Sequence, residues 1–244
     1  MSNKYYVAGK ERAERVEDLF ATIAPRYDLI NDLQSFWLHR WWKQGVIKMA
    51  APKKGEDALD LCCGTGDVAF ALAEKGCTAT GLDFSAPMLA VAEDRVARNP
   101  DAHRKPRFLR GDAQLIPFPD NSFDIVTISY GLRNLSSWKK GLAEMLRVAR
   151  PGGRLLVLDF GKPDNAVWRS LYFAYLRWFV PVFGKLFCGD SQTHAYILES
   201  LQHYPAQHGV AAEMKNIGCS EVRIIHLLGG IMSINYGRKT KSLL

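Results

Sequence analysis

A glycine-rich turn, Gly64-Thr65-Gly66, is the stretch of this 244-residue sequence whose residue types most directly indicate ligand binding. An apolar run that ends at Leu61 precedes the turn and a helical pattern follows it, which is typical of a strand–turn–helix unit. Such a turn brings backbone N–H groups close to a bound ligand. Because Ala69 stands where the dinucleotide fingerprint has its third glycine, the turn departs from a pyrophosphate-binding site.

A carboxylate, Asp83, stands at the end of the second predicted strand, residues 78–82. At that position of a strand–helix–strand unit, a carboxylate is well placed to accept both hydroxyl protons of a ribose. A glycine turn and a ribose-binding acid, without a phosphate-binding lysine or third glycine, indicate a nucleoside that lacks a pyrophosphate. S-adenosylmethionine fits this description.

Two further strand ends are expected at the same edge of the sheet. Asp112-Ala113 follows a short predicted strand, and Ser129 lies near the end of a strongly apolar one. Ligands of open α/β sheets bind outside the carboxyl ends of the strands. We therefore place an adenine ring at Asp112 and Ala113, where a carboxylate can accept from the exocyclic amine and a backbone N–H can donate to a ring nitrogen. The alternative is that Asp112 only caps its own Gly-Asp turn.

The loop YGLRN, residues 130–134, follows that strand and is expected to hang over the cofactor. Its Arg133 could pair with an anionic oxygen, and the alternative is a surface arginine that caps the next helix. No Ser-His-Asp or Cys-His arrangement is evident among the scattered histidines. Five cysteines without C-x-x-C spacing predict neither a disulfide framework nor a metal site, and they favour a reducing cytoplasm.

Strands that alternate with helices from about residue 56 to residue 161 must position these groups. This alternation predicts an α/β fold with a parallel sheet and right-handed crossovers. Ser85 is placed to cap the helix that follows Asp83. The other predicted elements are helices at 9–22, 86–97, 138–149, 191–202 and 206–217, strands at 107–110, 123–130 and 154–160, a Pro-Gly-Gly turn at 151–153, and a hairpin of strands 222–228 and 232–236 joined by two glycines.

Two segments, residues 33–42 and 166–187, carry more aromatic side chains than one helix face needs. Helices buried against the main domain are one interpretation, since core packing is the usual fate of aromatic residues. The other is a wall over an apolar substrate or, for the second segment with its spaced basic residues, a membrane-facing element. The polar groups near the first segment that could face the site are Tyr27, Asn31, His39 and Arg40.

Length and composition predict one globular domain, with 48% hydrophobic and 23% charged residues. The first 20 residues lack the apolar core of a signal peptide, and we expect no segment to span a membrane. The net charge of +7 has three interpretations: a solvated surface, attraction to anionic lipid headgroups, or nucleic-acid binding. The last lacks a recognisable module, so no nucleic-acid partner is expected.

The sequence resembles the ubiquinone/menaquinone biosynthesis C-methyltransferases, a family of class I S-adenosylmethionine-dependent methyltransferases. The stretches that carry the resemblance are IAPRYDLINDLQSFWLHRWWK, LDLCCGTGDVA, LIPFPDNSFDIVTISYGLRN and RVARPGGRLLVLDFGKP. It implies a Rossmann-like sheet of seven strands, six parallel and the last antiparallel, with helices on both faces. It also implies a single domain, residues 1–244, with a helical lid at 1–50 and a substrate-covering insertion at 162–217.

The resemblance further implies C-methylation of a polyprenylated quinol, with demethylmenaquinol as the first candidate and a benzoquinol as the second. The family's cofactor positions fall here on five residues: Thr65, Asp83, Asp112, Ala113 and Ser129. Together with Gly64 and Gly66 of the turn, these are the predicted S-adenosylmethionine-binding residues. Arg133 is the candidate for stabilising the phenolate, and Tyr27 and Asn31 are the candidates for orienting the ring. No metal is required.

The resemblance also suggests a cytoplasmic protein at the inner face of the membrane, and a homodimer is considered. One departure is Cys62-Cys63, because the family commonly has small residues such as Ala-Gly before this turn. Three alternatives remain open at this point: a methyltransferase of another lipid or phenol, an RNA-binding protein or RNA methyltransferase, and a non-catalytic assembly factor of quinone synthesis.

Overall fold

The computed structural model describes residues 32, 35, 37–99, 105–188, 198 and 200–241, with side chains described outside 179–188. Two of the predicted catalytic residues, Tyr27 and Asn31, and the predicted helix at 9–22 lie outside the described residues, as does most of the first half of the helix predicted at 191–202.

Seven strands form one sheet in the order β3-β2-β1-β4-β5-β7-β6. The strands are β1 (Asp57–Leu61), β2 (Thr78–Asp83), β3 (Arg107–Arg110), β4 (Phe123–Ser129), β5 (Ala149–Phe160), β6 (Cys219–Leu227) and β7 (Met232–Lys239). Neighbours from β3 to β5 pair in parallel, whereas β7 pairs antiparallel with both β5 and β6. The predicted sheet, including its antiparallel last strand, is confirmed.

The helices are α1 (Leu38–Ala50), α2 (Asp67–Glu74), α3 (Ala86–Arg98), α4 (Trp138–Val148), α5 (Ala166–Cys188) and α6 (Ala206–Asn216). They cover both faces of the sheet, and each face has its own core. Alternate β5 residues show the division: Leu156 and Leu158 pack in the cluster that includes α1 and α2, while Leu155 and Val157 pack in the cluster that includes α4 and α6. This period of two is the pattern of a strand buried on both sides.

The sequence predicted a turn at residues 151–153, but β5 runs through it from Ala149. The pairing with β4 shifts register there, from Phe123 opposite Ala149 to Ile125 opposite Arg154. A bulge thus absorbs the extra residues, with Gly152 at φ 80°. No helix in the described part of the chain is long and apolar enough to cross a membrane.

Candidate active site

A cleft opens at the carboxyl ends of β1, β2 and β4, the edge at which ligands of open α/β sheets bind. It brings together five of the seven predicted cofactor residues: Gly64, Asp83, Asp112, Ala113 and Ser129. The rest of its lining is mostly apolar or small, with Leu82, Met88 and Tyr130 among the side chains. A mostly apolar cleft with a few convergent polar groups is the usual form of a cofactor site.

Asp83 fixes the shape of this cleft as well as lining it. One carboxylate oxygen accepts the backbone N–H of Gly64 at 2.8 Å, and the other accepts the backbone N–H of Ser85 at 2.8 Å. The acid at the tip of β2 therefore ties the glycine turn after β1 to the start of α3. Ser85 is the N-cap residue of α3, as predicted, but its side chain makes no capping bond.

Thr65 and Gly66 belong to the glycine turn but, unlike Gly64, do not line the cleft. The carbonyl of Thr65 accepts a bond from Arg95 at 2.7 Å, and the Thr65 side chain is buried. Gly66 has φ 90°, and a Cβ there would stand 2.6 Å from the Phe108 ring. Only glycine fits at this position, so its first role is to let the chain turn sharply at the start of α2.

Asp112 does cap its own turn, since its carboxylate accepts the backbone N–H of Gln114 at 2.8 Å. The same residue lines the cleft next to Ala113, which is buried. The structural interpretation and the ligand-binding interpretation of Asp112 are therefore compatible.

Three buried polar atoms around the cleft have no hydrogen-bond partner among the described residues. They are Ser85 Oγ, Ser129 Oγ and Asn134 Oδ1. A buried polar atom left unpaired costs roughly 1–3 kcal/mol, so a polar ligand in the cleft would relieve that cost. Sequence reasoning named Ser129 as a ligand-binding residue and missed Ser85 and Asn134. The signal for Asn134 was its position beside Arg133 in the YGLRN loop.

Arg133 does not line the cleft. Its guanidinium is buried and pairs with Asp159 at the end of β5, with Nη1 to Oδ1 at 2.8 Å. The same nitrogen donates to the Tyr130 carbonyl at 2.6 Å, and the guanidinium lies 4.6 Å from the centre of the Phe160 ring. The interpretation of Arg133 as a surface residue is wrong, since only 5% of it is exposed. Its role at a phenolate stays a prediction.

Two of the polar residues near the first aromatic segment, His39 and Arg40, do not line this cleft. His39 and Arg40 both bind Asp32, with His39 Nε2 2.8 Å from Oδ1. They line a separate polar pocket, in which Lys43 pairs with Asp67 at 2.8 Å. Burial lowers the pKa of His39 and so favours its neutral form.

The two cysteines before the glycine turn are neutral thiols, because burial raises the pKa of Cys62 and Cys63 well above the usual range. Cys62 adopts φ 50° and lines the cleft. A Cβ added at Gly131 would stand only 2.4 Å from the Cys62 Cβ, so the YGLRN loop packs directly onto the cofactor turn. Across the described residues, no group of three or more His, Cys, Asp or Glu side chains could hold a metal ion.

Comparison with known proteins identifies the family to which this arrangement belongs. The model of the ubiE/COQ5 methyltransferase family matches residues 8–239. The chain belongs to the ubiE/COQ5 methyltransferase family. It is 39% identical over 239 residues to a demethylmenaquinone methyltransferase of Desulfitobacterium hafniense, covering 96% of this chain and 93% of that one. It is 38% identical to a ubiquinone/menaquinone biosynthesis C-methyltransferase UbiE of Azotobacter vinelandii, with 96% and 93% covered.

Solved structures of methyltransferases share the fold. The phosphoethanolamine N-methyltransferase 2 of Haemonchus contortus, solved with S-adenosyl-L-methionine, matches with a TM-score of 0.61 at 18% identity. The match covers 82% of this chain and 52% of that chain. The predicted class I methyltransferase fold, with six strands in one direction and one reversed, is thereby confirmed.

Proposed function

We propose that this member of the ubiE/COQ5 family transfers a methyl group from S-adenosylmethionine to a ring carbon of a polyprenylated quinol, with demethylmenaquinol as the first substrate to test. The observation that carries the proposal is the cleft at the carboxyl ends of β1, β2 and β4, with Asp83 fixed in it and two unpaired acceptors, Ser129 Oγ and Asn134 Oδ1. The relatives named above support the choice of a quinol.

The cofactor side of the cleft has polar groups for each part of S-adenosylmethionine: the ribose, the adenine and the amino acid portion. Asp83 would accept the ribose hydroxyls, and Asp112 with the backbone of Ala113 would bind the adenine. Gly64 and Ser129 would bind the amino acid portion. S-adenosylmethionine, when bound, supplies an electrophilic methyl group on a sulfonium, which is already a good leaving group.

The chain's own residues then need to position the quinol ring against the methyl group, exclude water and stabilise a phenolate. A ring carbon ortho to a hydroxyl becomes nucleophilic when that hydroxyl loses its proton. Arg133 is the candidate for stabilising the resulting oxyanion. Because its guanidinium is paired with Asp159 at 2.8 Å, that role requires the phenolate to share the guanidinium with Asp159 or to be linked to it through water. Tyr27 and Asn31 remain candidates for orienting the ring.

A matched pair of variants tests Arg133. We expect Arg133→Ala to lower kcat by at least about 100-fold, as removal of an oxyanion partner does, and Arg133→Lys to retain more activity because it keeps the charge. An unchanged kcat for Arg133→Ala at saturating quinol would refute the role. Thermal unfolding of both variants separates this effect from the loss of the buried ion pair with Asp159.

The exposed face of α5 supports binding of the apolar tail and of a membrane. Its exposed apolar side chains recur at helical spacing along the same face: Val167, Trp168, Leu171, Tyr175 and Trp178. Arg177 lies next to Trp178 and is exposed. An apolar stripe beside basic side chains is typical of a helix that lies on an anionic bilayer. The insertion 162–217 would in this way cover the substrate and rest on the membrane. Since α1 packs in the core on one face of the sheet, a lid from residues 1–50 would have to come from the part before α1.

Sedimentation with vesicles of anionic phospholipid tests this membrane contact. We expect the double variant Leu171→Ser/Trp178→Ser to lose most of its vesicle binding, because the serines remove exposed apolar area. The matched control is Leu115→Ser, which replaces a side chain 72% exposed and distant in sequence from α5. Equal sedimentation of both variants would refute the proposal. Sedimentation velocity of the wild type without lipid would show whether the protein forms the homodimer considered above.

The methylation assay tests the proposed function itself. Purified protein is supplied with S-adenosylmethionine and, in separate reactions, reduced demethylmenaquinone and a reduced demethylated benzoquinone with the same prenyl tail. We expect a mass gain of one methylene on one or both rings. Absence of product with either ring would favour a different phenolic acceptor or a non-catalytic role, while strongly salt-dependent RNA binding would favour the nucleic-acid alternative.

A further inference from the structure

Two tyrosine hydroxyls are buried without a hydrogen-bond partner among the described residues. Tyr172 lies in the first half of α5, and Tyr204 follows the helical residues 200–203. Each residue is only 4% exposed, and both belong to the same apolar cluster, with Leu176 and Leu201. We call Tyr172 and Tyr204 the tyrosine pair.

The tyrosine pair shares its apolar cluster with Leu132, the neighbour of Arg133, and with Phe160, whose ring centre lies 4.6 Å from the Arg133 guanidinium. The charges of Arg133 and Asp159 act on both phenol groups, and burial raises the pKa of Tyr172 and Tyr204, so both hydroxyls stay protonated. Each is therefore a hydrogen-bond donor held beside a charged pair. Asp159 already accepts three bonds, from Arg133 Nη1 and from the backbone N–H groups of Arg133 and Phe160.

The Arg133–Asp159 ion pair adjoins the part of the cleft that would hold the methyl acceptor, which we call the acceptor side. Arg133 and Asn134 share one short 3-10 turn, Leu132–Asn134, and Asn134 lines the cleft with its unpaired oxygen. Trp138, at the start of α4, stacks edge-on with Tyr204 at 6.4 Å between ring centres. The chain from Asn134 to Trp138 thus joins the cleft to the tyrosine pair.

The energetics favour a ligand over packing as the reason for two phenols at these positions. A buried hydroxyl without a partner costs roughly 1–3 kcal/mol, and phenylalanine would fill the same space without that cost. Proteins keep such unpaired groups where function requires them. A quinol ring offers what these groups lack, since its two oxygens are acceptors and its faces are apolar.

We propose that Tyr172 and Tyr204 are substrate-binding residues that donate hydrogen bonds to the ring oxygens of the quinol, beside the Arg133–Asp159 pair. This inference rests on the proposed function and adds the residues that bind its acceptor. Both hydroxyls are closed to solvent. The proposal therefore requires α5 to shift away from the core to admit the ring. The opposite face of α5, with Val167, Leu171 and Trp178, is exposed. Tyr172, Phe173 and Leu176 pack against the core, and Trp168 Nε1 donates to the Leu228 carbonyl at 3.1 Å.

The test compares Tyr172→Phe and Tyr204→Phe with the control Ser220→Ala, which removes a hydroxyl from an exposed residue of β6 that does not line the cleft. We expect both substitutions in the tyrosine pair to leave thermal stability unchanged or raised, because they remove an unpaired hydroxyl. We expect each to raise KM for the quinol by roughly 5- to 30-fold with unchanged affinity for S-adenosylmethionine, as loss of one substrate hydrogen bond does. Ser220→Ala should match the wild type in all three measurements.

Wild-type KM and kcat in both variants, with raised stability, would overturn the inference and leave the hydroxyls as unpaired packing groups. A second measurement separates this result from failure of the proposed function. 1,4-Naphthalenediol, the reduced form of 1,4-naphthoquinone, is titrated into each protein anaerobically, without a methyl donor. Weaker binding by Tyr172→Phe and Tyr204→Phe supports the inference even if the wild type transfers no methyl group, and equal binding by all four proteins overturns it.

Discussion

The two sides of the cleft are built differently. On the cofactor side, backbone N–H groups hold the two carboxylates: Asp83 accepts those of Gly64 and Ser85, and Asp112 accepts that of Gln114. Ser85 Oγ and Ser129 Oγ have no partner among the described residues. On the acceptor side, Asn134 and the tyrosine pair present buried atoms without partners among the described residues. There, α5 also exposes a stripe of apolar side chains.

This difference indicates where the structure is complete before its ligands bind. Hydrogen bonds within the loops preorganise the cofactor side, so that little order has to be gained on binding. The acceptor side leaves donors and acceptors to be paired by the substrate, and its apolar area to be covered by the tail or the membrane. We therefore expect substitutions on the cofactor side to disturb the shape of the site, and those of the tyrosine pair to disturb affinity for the quinol.

The largest effect is expected for Asp83→Asn. The substitution removes one charged acceptor that holds the turn at Gly64 and the start of α3, so both strand ends lose their common anchor. We expect affinity for S-adenosylmethionine to fall by about 100-fold or more, since bonds to a charged acceptor contribute about 1.5–3 kcal/mol each. Calorimetric titration of the methyl donor measures this change.

Asp112→Asn is the matched control, because it changes the other cleft carboxylate, which bonds only within its own exposed turn. Its loss of affinity should be smaller. If the two variants lose affinity equally, the distinction between an anchoring acid and a contacting acid does not hold.

The cofactor side could be predicted from the sequence because its determinants are local. A glycine turn after an apolar run and an acid at the next strand end follow from chain order alone, and the parallel sheet brings them together. What the sequence did not show was which atoms face inward. Thr65 and Gly66 of the turn do not line the cleft. Instead, Arg95 donates to the Thr65 carbonyl, and the Phe108 ring lies against Gly66.

The acceptor side could be predicted only as a loop over the site. That Arg133 is committed to Asp159 depends on a contact across 26 residues, and the tyrosine pair depends on how α5 and residues 200–204 fold back over β5. Neither follows from spacing. The aromatic excess in 166–187 did indicate an unusual helix. Its buried Tyr172 and Leu176 agree with the core-packing interpretation, while the membrane-facing interpretation of its exposed stripe stays a prediction.

An intermediate effect is expected where the two sides touch, at Gly131 and Cys62. A methyl group at residue 131 would meet the Cys62 side chain at 2.4 Å, so Gly131→Ala must push the YGLRN loop away from the cofactor turn. We expect kcat/KM to fall by roughly 10- to 100-fold, because a displacement of about 1 Å can cost that much. The steady-state rates of methyl transfer measure it.

A double variant shows whether this contact is the cause. Glycine at residue 62 removes the clashing Cβ and suits φ 50°, so Cys62→Gly/Gly131→Ala should regain most of the lost rate. Cys62→Gly alone is the control and should stay near the wild type. No recovery in the double variant would mean that the two sides are not coupled through Cys62.

The smallest effect on catalysis, and a clear one on stability, is expected beneath the cofactor turn at Asp60. Burial raises the pKa of Asp60 to about 7, while Thr127 donates a hydrogen bond to it at 2.7 Å and Lys43 favours its charged form. The charges of Asp83 and Asp67 act in the opposite direction. Because the folded state binds this proton more tightly than the unfolded state, this group lowers the free energy of unfolding as pH rises from about 4 to about 7.

Asp60→Asn keeps an acceptor for Thr127 and removes the ionisation. We expect its free energy of unfolding to exceed that of the wild type by about 2 kcal/mol at pH 8, with a smaller difference at pH 4, where the wild-type carboxyl is protonated in the folded state. Chemical denaturation at the two pH values measures both. Since Asp60 lies under the cofactor turn and does not line the cleft, KM for the quinol should not change. A changed KM for the quinol in Asp60→Asn would contradict this expectation.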